Sequence, residues 1–299
     1  MGEPALVTHP DGWRTLEPKP SAEELKAFYA QKYFQGSHGT YAQGYTDTEI
    51  QHRNLLARQT LLAIQRARGA GPEAGDALLE IGCGEGWFLK AADQAGFAVR
   101  GLDYSEDGLR RFHPGFLDRA TFGDALENLD RLIAAGEAAD VCVMEHVLEH
   151  VLDPEGLLVR LPRLLKPAGV VAITVPNDFS ALQLAARQSG AIDRDFWVAP
   201  PQHLNYFNAQ NLPRLMARLG FEVRMAFASF PIDWFLLHPG SNYVTDGAQG
   251  KPAHRARMAI DLMLADQGLD AFLDFGASLF ACGMGRSLTV IAAPPKAGL

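Results

Sequence analysis

The sequence predicts an α/β fold: a seven-stranded, mostly parallel sheet with helices on both faces, preceded by N-terminal helices and carrying a helical cap inserted between its last two strands. Three observations predict it. From Ala77 onward short apolar runs alternate with amphipathic stretches, the pattern of βαβ units. The first of these runs passes directly into a glycine-rich loop and then a helix. Finally, the 58 residues 229–286 separate two strands that a hairpin of a few residues would join, so that stretch needs structure of its own. With 299 residues, 47% hydrophobic and 21% charged, the chain is long enough to bury a sizeable core without disulfide or metal staples.

Residues 1–20 hold four prolines (Pro4, Pro10, Pro18, Pro20) and read as an irregular leader. Ser21 with Glu24 three residues on is a capping box, so a helix through Phe34 is expected. Gly36, Gly39 and Gly44, interleaved with Tyr41 and Tyr45, mark an aromatic loop that could close over a ligand, although such clusters more often belong to a core. Ile50, Leu55, Leu56, Leu61, Leu62 and Ile64 recur at helical spacing over 46–68, and Gly69 ends that helix. Strands are expected at 77–81, 98–103, 120–122, 140–145, 170–175, 221–228 and 287–293, with helices at 87–95, 106–112, 126–135, 154–165 and 209–219. Gly220 stands at a helix C-cap position. Within 229–286 lie an aromatic patch at 230–235 and helical patterns at 252–267 and 269–282. The division this suggests is 1–45 as leader and lid helix, 46–228 as core with 177–205 on the substrate side, 229–286 as helical cap, and 287–299 as final strand and tail.

Charge and cysteine usage exclude several functions. Lys and Arg number 27 against 35 Asp and Glu, a net charge of −8, which argues against a nucleic-acid binder and suits a small or cationic partner. Cys83, Cys142 and Cys282 are far apart, with no C-x-x-C pair, so neither a disulfide scaffold nor a zinc ribbon is expected. No apolar run reaches the roughly 18 residues of a membrane span. The first residues lack the pattern of a signal peptide, and Leu6 stands where myristoylation would want Ser or Thr. A cytoplasmic location is the expectation.

Leu78 to Trp87 read as a buried strand, a glycine loop and a helix start. Gly82, Gly84 and Gly86 let the backbone turn sharply and approach a ligand with no Cβ in the way. Asp103 ends the second strand, 21 residues after Gly82, where a carboxylate accepts hydrogen bonds from ribose hydroxyls. Asp124 follows the third strand, at an edge where an acid can accept from an adenine amino group. The three landmarks describe a nucleoside site on successive strand ends. The dinucleotide fingerprint G-x-G-x-x-G would want a third glycine where Trp87 stands, and the spacing here is G-x-G-x-G.

Glu80-Ile-Gly-Cys-Gly-Glu-Gly resembles the first motif of the class I S-adenosylmethionine-dependent methyltransferases, which have a Rossmann-like core. The resemblance runs over roughly residues 45–228 and includes Leu165-Lys-Pro-Ala-Gly and Pro201-Gln-His-Leu-Asn-Tyr-Phe. It implies S-adenosylmethionine as cofactor, with S-adenosylhomocysteine as product. Glu80 would orient the loop and the cofactor ammonium, Asp103 the ribose and Asp124 the adenine; Gly82, Cys83, Gly84, Gly86, Tyr104, Ala125 and Glu145 complete the implied set. Cys83 reads as a packing residue rather than a nucleophile.

Val143 to Pro154 resembles the small-molecule branch, including quinone and sugar O-methyltransferases. His146-Val-Leu-Glu-His150 also fits the H-x-x-E-H pattern of an inverted zinc protease, but its place after a parallel strand argues against proteolysis. A divalent metal could align a substrate hydroxyl; His146, however, stands where quinone-directed relatives carry an acid, and no residue is assigned as a metal ligand. The candidates for a general base are His146, His203 and His150, in that order, against the alternative of a packing or capping role for His150. The expected activity is methylation of an oxygen, less readily a nitrogen or carbon, on a small molecule such as a sugar, a glycan precursor or a natural product. The expected assembly is a monomer or homodimer. The competing readings are a non-catalytic cofactor-binding protein of the same fold and a nicotinamide-dependent oxidoreductase.

Overall fold

The structure is a computed structural model that describes residues 5–28 and 44–295. Phe34, Gly36, Gly39 and Tyr41, together with the far end of the first expected helix, lie outside the described residues. Ten strands and ten α-helices are defined among those that are described.

The seven expected core strands form one sheet. In chain order they are β3 (Ala77–Ile81), β4 (Ala98–Asp103), β5 (Ala120–Phe122), β6 (Ala139–Glu145), β7 (Leu165–Pro176), β9 (Glu222–Ala228) and β10 (Ser287–Ala293), and across the sheet they run β5-β4-β3-β6-β7-β10-β9. The first five strands are parallel, whereas β10 lies antiparallel to both β7 and β9. Strand order reverses between β3 and β6, and the crevice at such a reversal is where open sheets hold ligands. Ser287 pairs with Pro176 and Leu288 with Ala228, so residues 229–286 leave from and return to the carboxyl edge of the parallel strands.

Helices cover both faces. On one lie α2 (Asp47–Arg68), α3 (Trp87–Gln94), α4 (Asp107–Phe112) and α10 (Leu269–Ala281), which bury Ile64, Leu89, Leu109 and Leu273 against Val141, Val143 and Ile291. On the other lie α5 (Ala125–Ala134), α6 (Pro154–Leu158) and α8 (Asn211–Arg218), with Leu129, Leu157, Leu158, Leu212 and Leu215 over Cys142, Met144 and Ile173. Thr46 and Glu49 close a full capping box on α2, and Gly69, at φ 73°, ends it. In α10, Gly276 leaves only 2.9 Å between a notional Cβ and the Ala228 carbonyl, so the helix can lie tight against β9. The other cap helix, α9 (Gly250–Ala265), packs on α2 beyond the sheet edge.

Two expectations are corrected. Residues 5–17 are not an irregular leader but a hairpin, β1 (Ala5–Thr8) with β2 (Arg14–Glu17), which adds β8 (Asn205–Tyr206) to make a second sheet. The prolines flank these strands rather than interrupt them, Trp13 and Leu16 are buried, and the Thr15 hydroxyl donates to Asn205 Oδ1 at 3.0 Å. This sheet and α7 (Ala181–Gln188) enclose a third cluster built on Phe179, Trp197, Leu204 and Tyr206. The helix expected over 154–165 stops at Leu158 and resumes as a 3₁₀ turn, Leu161–Leu164, because Pro162 has no N–H to continue the ladder. The Ser21–Glu24 capping box is present, with the helix it starts, α1, described over Ala22–Phe28.

Candidate active site

Gly82, Gly84 and Gly86 carry the chain from β3 into α3 with φ of 80°, 50° and 81°. Two of them are also sterically required. A Cβ on Gly82 would stand 2.3 Å from Val147 Cγ2, and one on Gly86 would stand 2.4 Å from Leu109 Cδ1. The loop is tied to β4 by the Gly82 and Cys83 amides, which both donate to the Leu102 carbonyl at 2.7 and 2.9 Å. Cys83 is buried against Gly101, and burial first, then Glu80 and Asp103, pushes its thiol pKa up, in keeping with a packing role. Glu85 turns back into the loop, where the Tyr45 hydroxyl (2.8 Å) and Trp87 Nε1 (2.7 Å) donate to it.

Asp103 sits beside the glycine loop. Its Oδ2 accepts from the Gly84 amide at 2.7 Å and its Oδ1 from the Ser105 amide at 3.1 Å. Burial raises its pKa, and those amides pull it back down. Tyr104, half-buried, follows it. On the neighbouring strands Glu80 and Glu145 complete a group of three acids. Glu80 is 3% exposed and its Oε2 has no hydrogen-bond partner. Desolvation, then the charges of Glu145 and Asp103, hold its pKa well above the ordinary carboxylate value. Desolvation raises Glu145 as well, against a hydrogen bond from Thr60. Three neighbouring carboxyls on adjacent strands, one with an orphaned oxygen, are a chemistry that suits a cation. Asp124 is exposed and caps α5, its Oδ1 accepting from the Glu127 amide at 3.0 Å, while Ala125 begins that helix beside it.

All three candidate histidines gather around one acid that sequence reasoning did not assign. Residues 146–150 form turns rather than a helix, and His146 has φ 54°, so the two histidines of the H-x-x-E-H run do not share a helix face. Glu149 is almost fully buried beneath them. His146 Nδ1 lies 3.1 Å from Glu149 Oε1, and its side chain is 49% exposed. Burial would lower the His146 pKa, but the Glu149 hydrogen bond and charge outweigh it and raise the imidazole. His150 Nδ1 donates to the Gln202 carbonyl at 2.6 Å, and its Nε2 is 3.8 Å from Glu149. His203 packs edge-on against His150 at 5.0 Å; burial, then the His150 charge, lowers its pKa to about 4. Glu149, His150 and His203 each offer a ligand atom within 4.8 Å of the others, a spacing that suits one small divalent ion.

Residues 50–225 match the methyltransferase-domain family. The chain belongs to the class I S-adenosylmethionine-dependent methyltransferases. It is 32% identical over 153 residues to a ubiquinone biosynthesis O-methyltransferase of Caulobacter vibrioides, covering 50% of this chain and 60% of that protein. It is 30% identical over 157 residues to a probable S-adenosylmethionine-dependent methyltransferase of Mycolicibacterium smegmatis, covering 52% and 56%. The methyltransferase chain thus spans somewhat over half the length of these curated relatives. Among solved structures, a Haemonchus contortus phosphoethanolamine N-methyltransferase 2 matches its fold at a TM-score of 0.50 and 19% identity, covering 94% of this chain and 62% of that one. The glycine loop, Asp103 beside it and the buried Glu80 with its unpartnered Oε2 are chemically compatible with S-adenosylmethionine, a positively charged nucleoside. Among the described residues no helix is long and apolar enough to cross a membrane.

Proposed function

We propose that the chain transfers a methyl group to an oxygen of a small-molecule acceptor held at the carboxyl edge of the sheet, with His146 as general base. The observation that carries this is the His146–Glu149 pair opening onto the same edge as the three-acid group beside the glycine cradle. When bound, S-adenosylmethionine supplies an activated methyl group on a cationic sulfur. Glu80 and Glu145 would hold its cationic end, Asp103 the ribose hydroxyls and Asp124 the adenine amino group. Gly82, Gly84 and Gly86 allow close approach of the backbone, with Cys83, Tyr104 and Ala125 shaping the walls.

Methyl transfer is an in-line displacement, so the protein contributes mainly orientation and exclusion of water. Glu149 accepts from His146 Nδ1–H and leaves Nε2 free to take the acceptor's hydroxyl proton. His203, lowered to about 4, is a weak base, and His150 has its Nδ1 committed to Gln202, so both support His146 rather than compete with it. The acceptor is a sugar, glycan precursor or natural product enclosed by residues 177–205 and 230–265. The Caulobacter vibrioides relative is named as an O-methyltransferase, which supports oxygen as the methylated atom.

The test is incubation with isotopically labelled S-adenosylmethionine and panels of phenols, sugars and sugar nucleotides. Labelled product with stoichiometric S-adenosylhomocysteine is expected, and the His146→Gln variant should lose turnover. Cofactor binding with no transfer to any member of the panels would favour the non-catalytic reading instead.

A further inference from the structure

Three guanidinium groups from separate elements lie close enough for their charges to act on one another. Arg53 comes from α2, Arg257 from α9, and Arg286 immediately precedes β10. Two of them are engaged. Arg53 Nη2 donates to the Tyr45 hydroxyl at 2.6 Å, and its Nη1 lies 3.7 Å from Glu85. Arg286 Nη1 donates to Asp178 Oδ1 at 3.2 Å, and its charge reaches both His146 and His203.

Arg257 differs. It forms no ion pair among the described residues; its Nη2 meets His254 Nδ1 at 3.0 Å, and its buried Nε has no hydrogen-bond partner. Asp261, whose charge reaches Arg257, and Asp233 nearby in the cap make their hydrogen bonds to other groups. Asp261 Oδ2 is 2.8 Å from His52 Nε2, and Asp233 accepts from Gln183 Nε2 at 3.1 Å and from the Tyr243 hydroxyl. Asp261 Oδ1 stays unpartnered as well, so Arg257 and the acid that attracts it are not joined by a hydrogen bond. Burial, with the like charges of Arg286 and Arg53, lowers the Arg257 pKa against the pull of Asp261. A guanidinium kept partly buried without its acceptors is costly unless a ligand completes it, and its planar fork matches carboxylate and phosphate oxygens.

Given the methyl-transfer reading, we infer that the acceptor carries an anionic group, a phosphate or a carboxylate, which Arg257 binds at the crevice with Arg286 alongside. The acceptor hydroxyl then faces His146 while its anionic end is held under α9. This makes Arg257 a specificity-determining residue and separates the anion site from the acidic pocket that takes the cationic cofactor.

The test uses the full chain, with and without S-adenosylhomocysteine, titrated calorimetrically with phenyl phosphate, benzoate and phenol. At least one anion should bind about tenfold or more tightly than phenol, and Arg257→Gln should abolish that preference. Which anion wins distinguishes phosphate from carboxylate. Arg257→Lys should recover only part of the preference, because an ammonium lacks the fork. S-adenosylhomocysteine affinity of both variants should match wild type, and their unfolding midpoints should not fall below it, which reports that the fold is intact. Equal binding of phenol and both anions, no anion binding at millimolar concentration, or a preference that survives in Arg257→Gln would each overturn the inference. Wild type that selects an anion but fails to bind S-adenosylhomocysteine would sink the methyl-transfer reading and leave the anion site standing.

Discussion

Replacing Asp103 with Asn isolates the nucleoside contact, because the substitution keeps the shape and removes the charge. In the wild type both carboxylate oxygens are used by the protein itself, Oδ2 by the Gly84 amide at 2.7 Å and Oδ1 by the Ser105 amide at 3.1 Å. An asparagine has one acceptor oxygen. If that oxygen keeps the shorter bond to Gly84, the new NH2 group faces the Ser105 amide donor, and one backbone N–H loses its partner. That loss costs about 1–3 kcal/mol, offset in part because Glu80 no longer feels the Asp103 charge. The bound cofactor loses a charged acceptor for its ribose hydroxyls, about 1.5–3 kcal/mol. At 1.4 kcal/mol per decade this corresponds to roughly a ten- to hundredfold weaker dissociation constant for S-adenosylhomocysteine, read by isothermal titration. The exposed Asp118, changed to Asn, serves as the control and should leave affinity unaltered. A folded Asp103→Asn variant that binds within about twofold of wild type would refute the assignment of Asp103 to the ribose.

Gly82→Ala should lower the thermal midpoint and weaken cofactor binding. Alanine at φ 80° costs about 1–2 kcal/mol, and its Cβ would meet Val147 Cγ2 at 2.3 Å. Adding Val147→Ala should relieve the contact but not the backbone cost, leaving a partial deficit in the same melting assay. His146→Gln should reduce turnover about 10²–10⁴-fold with cofactor affinity unchanged, since removing a general base acts on the chemical step. The wild-type rate should rise with pH through a value above 6.5, because Glu149 raises His146 and the base must be deprotonated to act. For stability His203 acts in the same direction, favouring higher pH. The unfolded chain takes up a proton near 6.5 that folded His203 resists until about 4, so its contribution falls as pH drops through that window. Denaturant midpoints of His203→Gln measured across the same window should show a shallower acid loss than wild type.

The parts of the fold written in local pattern were legible. Apolar runs between helical stretches marked the seven strands, and three glycines with a carboxylate at the next strand end marked a loop and an acid that the structure joins by a hydrogen bond. What escaped depends on distant partners. Thr15 and Leu16 become a strand because Leu204 and Asn205, 189 and 190 positions from Thr15, supply hydrogen bonds, and no alternation in Arg14–Glu17 announces it. His146, Glu149 and His150 were visible as a run but not its backbone path; a left-handed residue at His146 folds the run into turns and brings Glu149 under both imidazoles. Glu149 itself could have been found, as the only acid inside that run. Arg257 could not, because an arginine on an amphipathic helix reads as a solvated face until the opposite wall, Arg286 with Tyr243, is known.

The most direct test of the account is calorimetric titration of the full chain with S-adenosylmethionine and, separately, with NAD. Saturable one-to-one binding of S-adenosylmethionine, weakened by Asp103→Asn and by Gly82→Ala, with no binding of NAD, is the result predicted. Binding of NAD without S-adenosylmethionine would contradict the account at its centre.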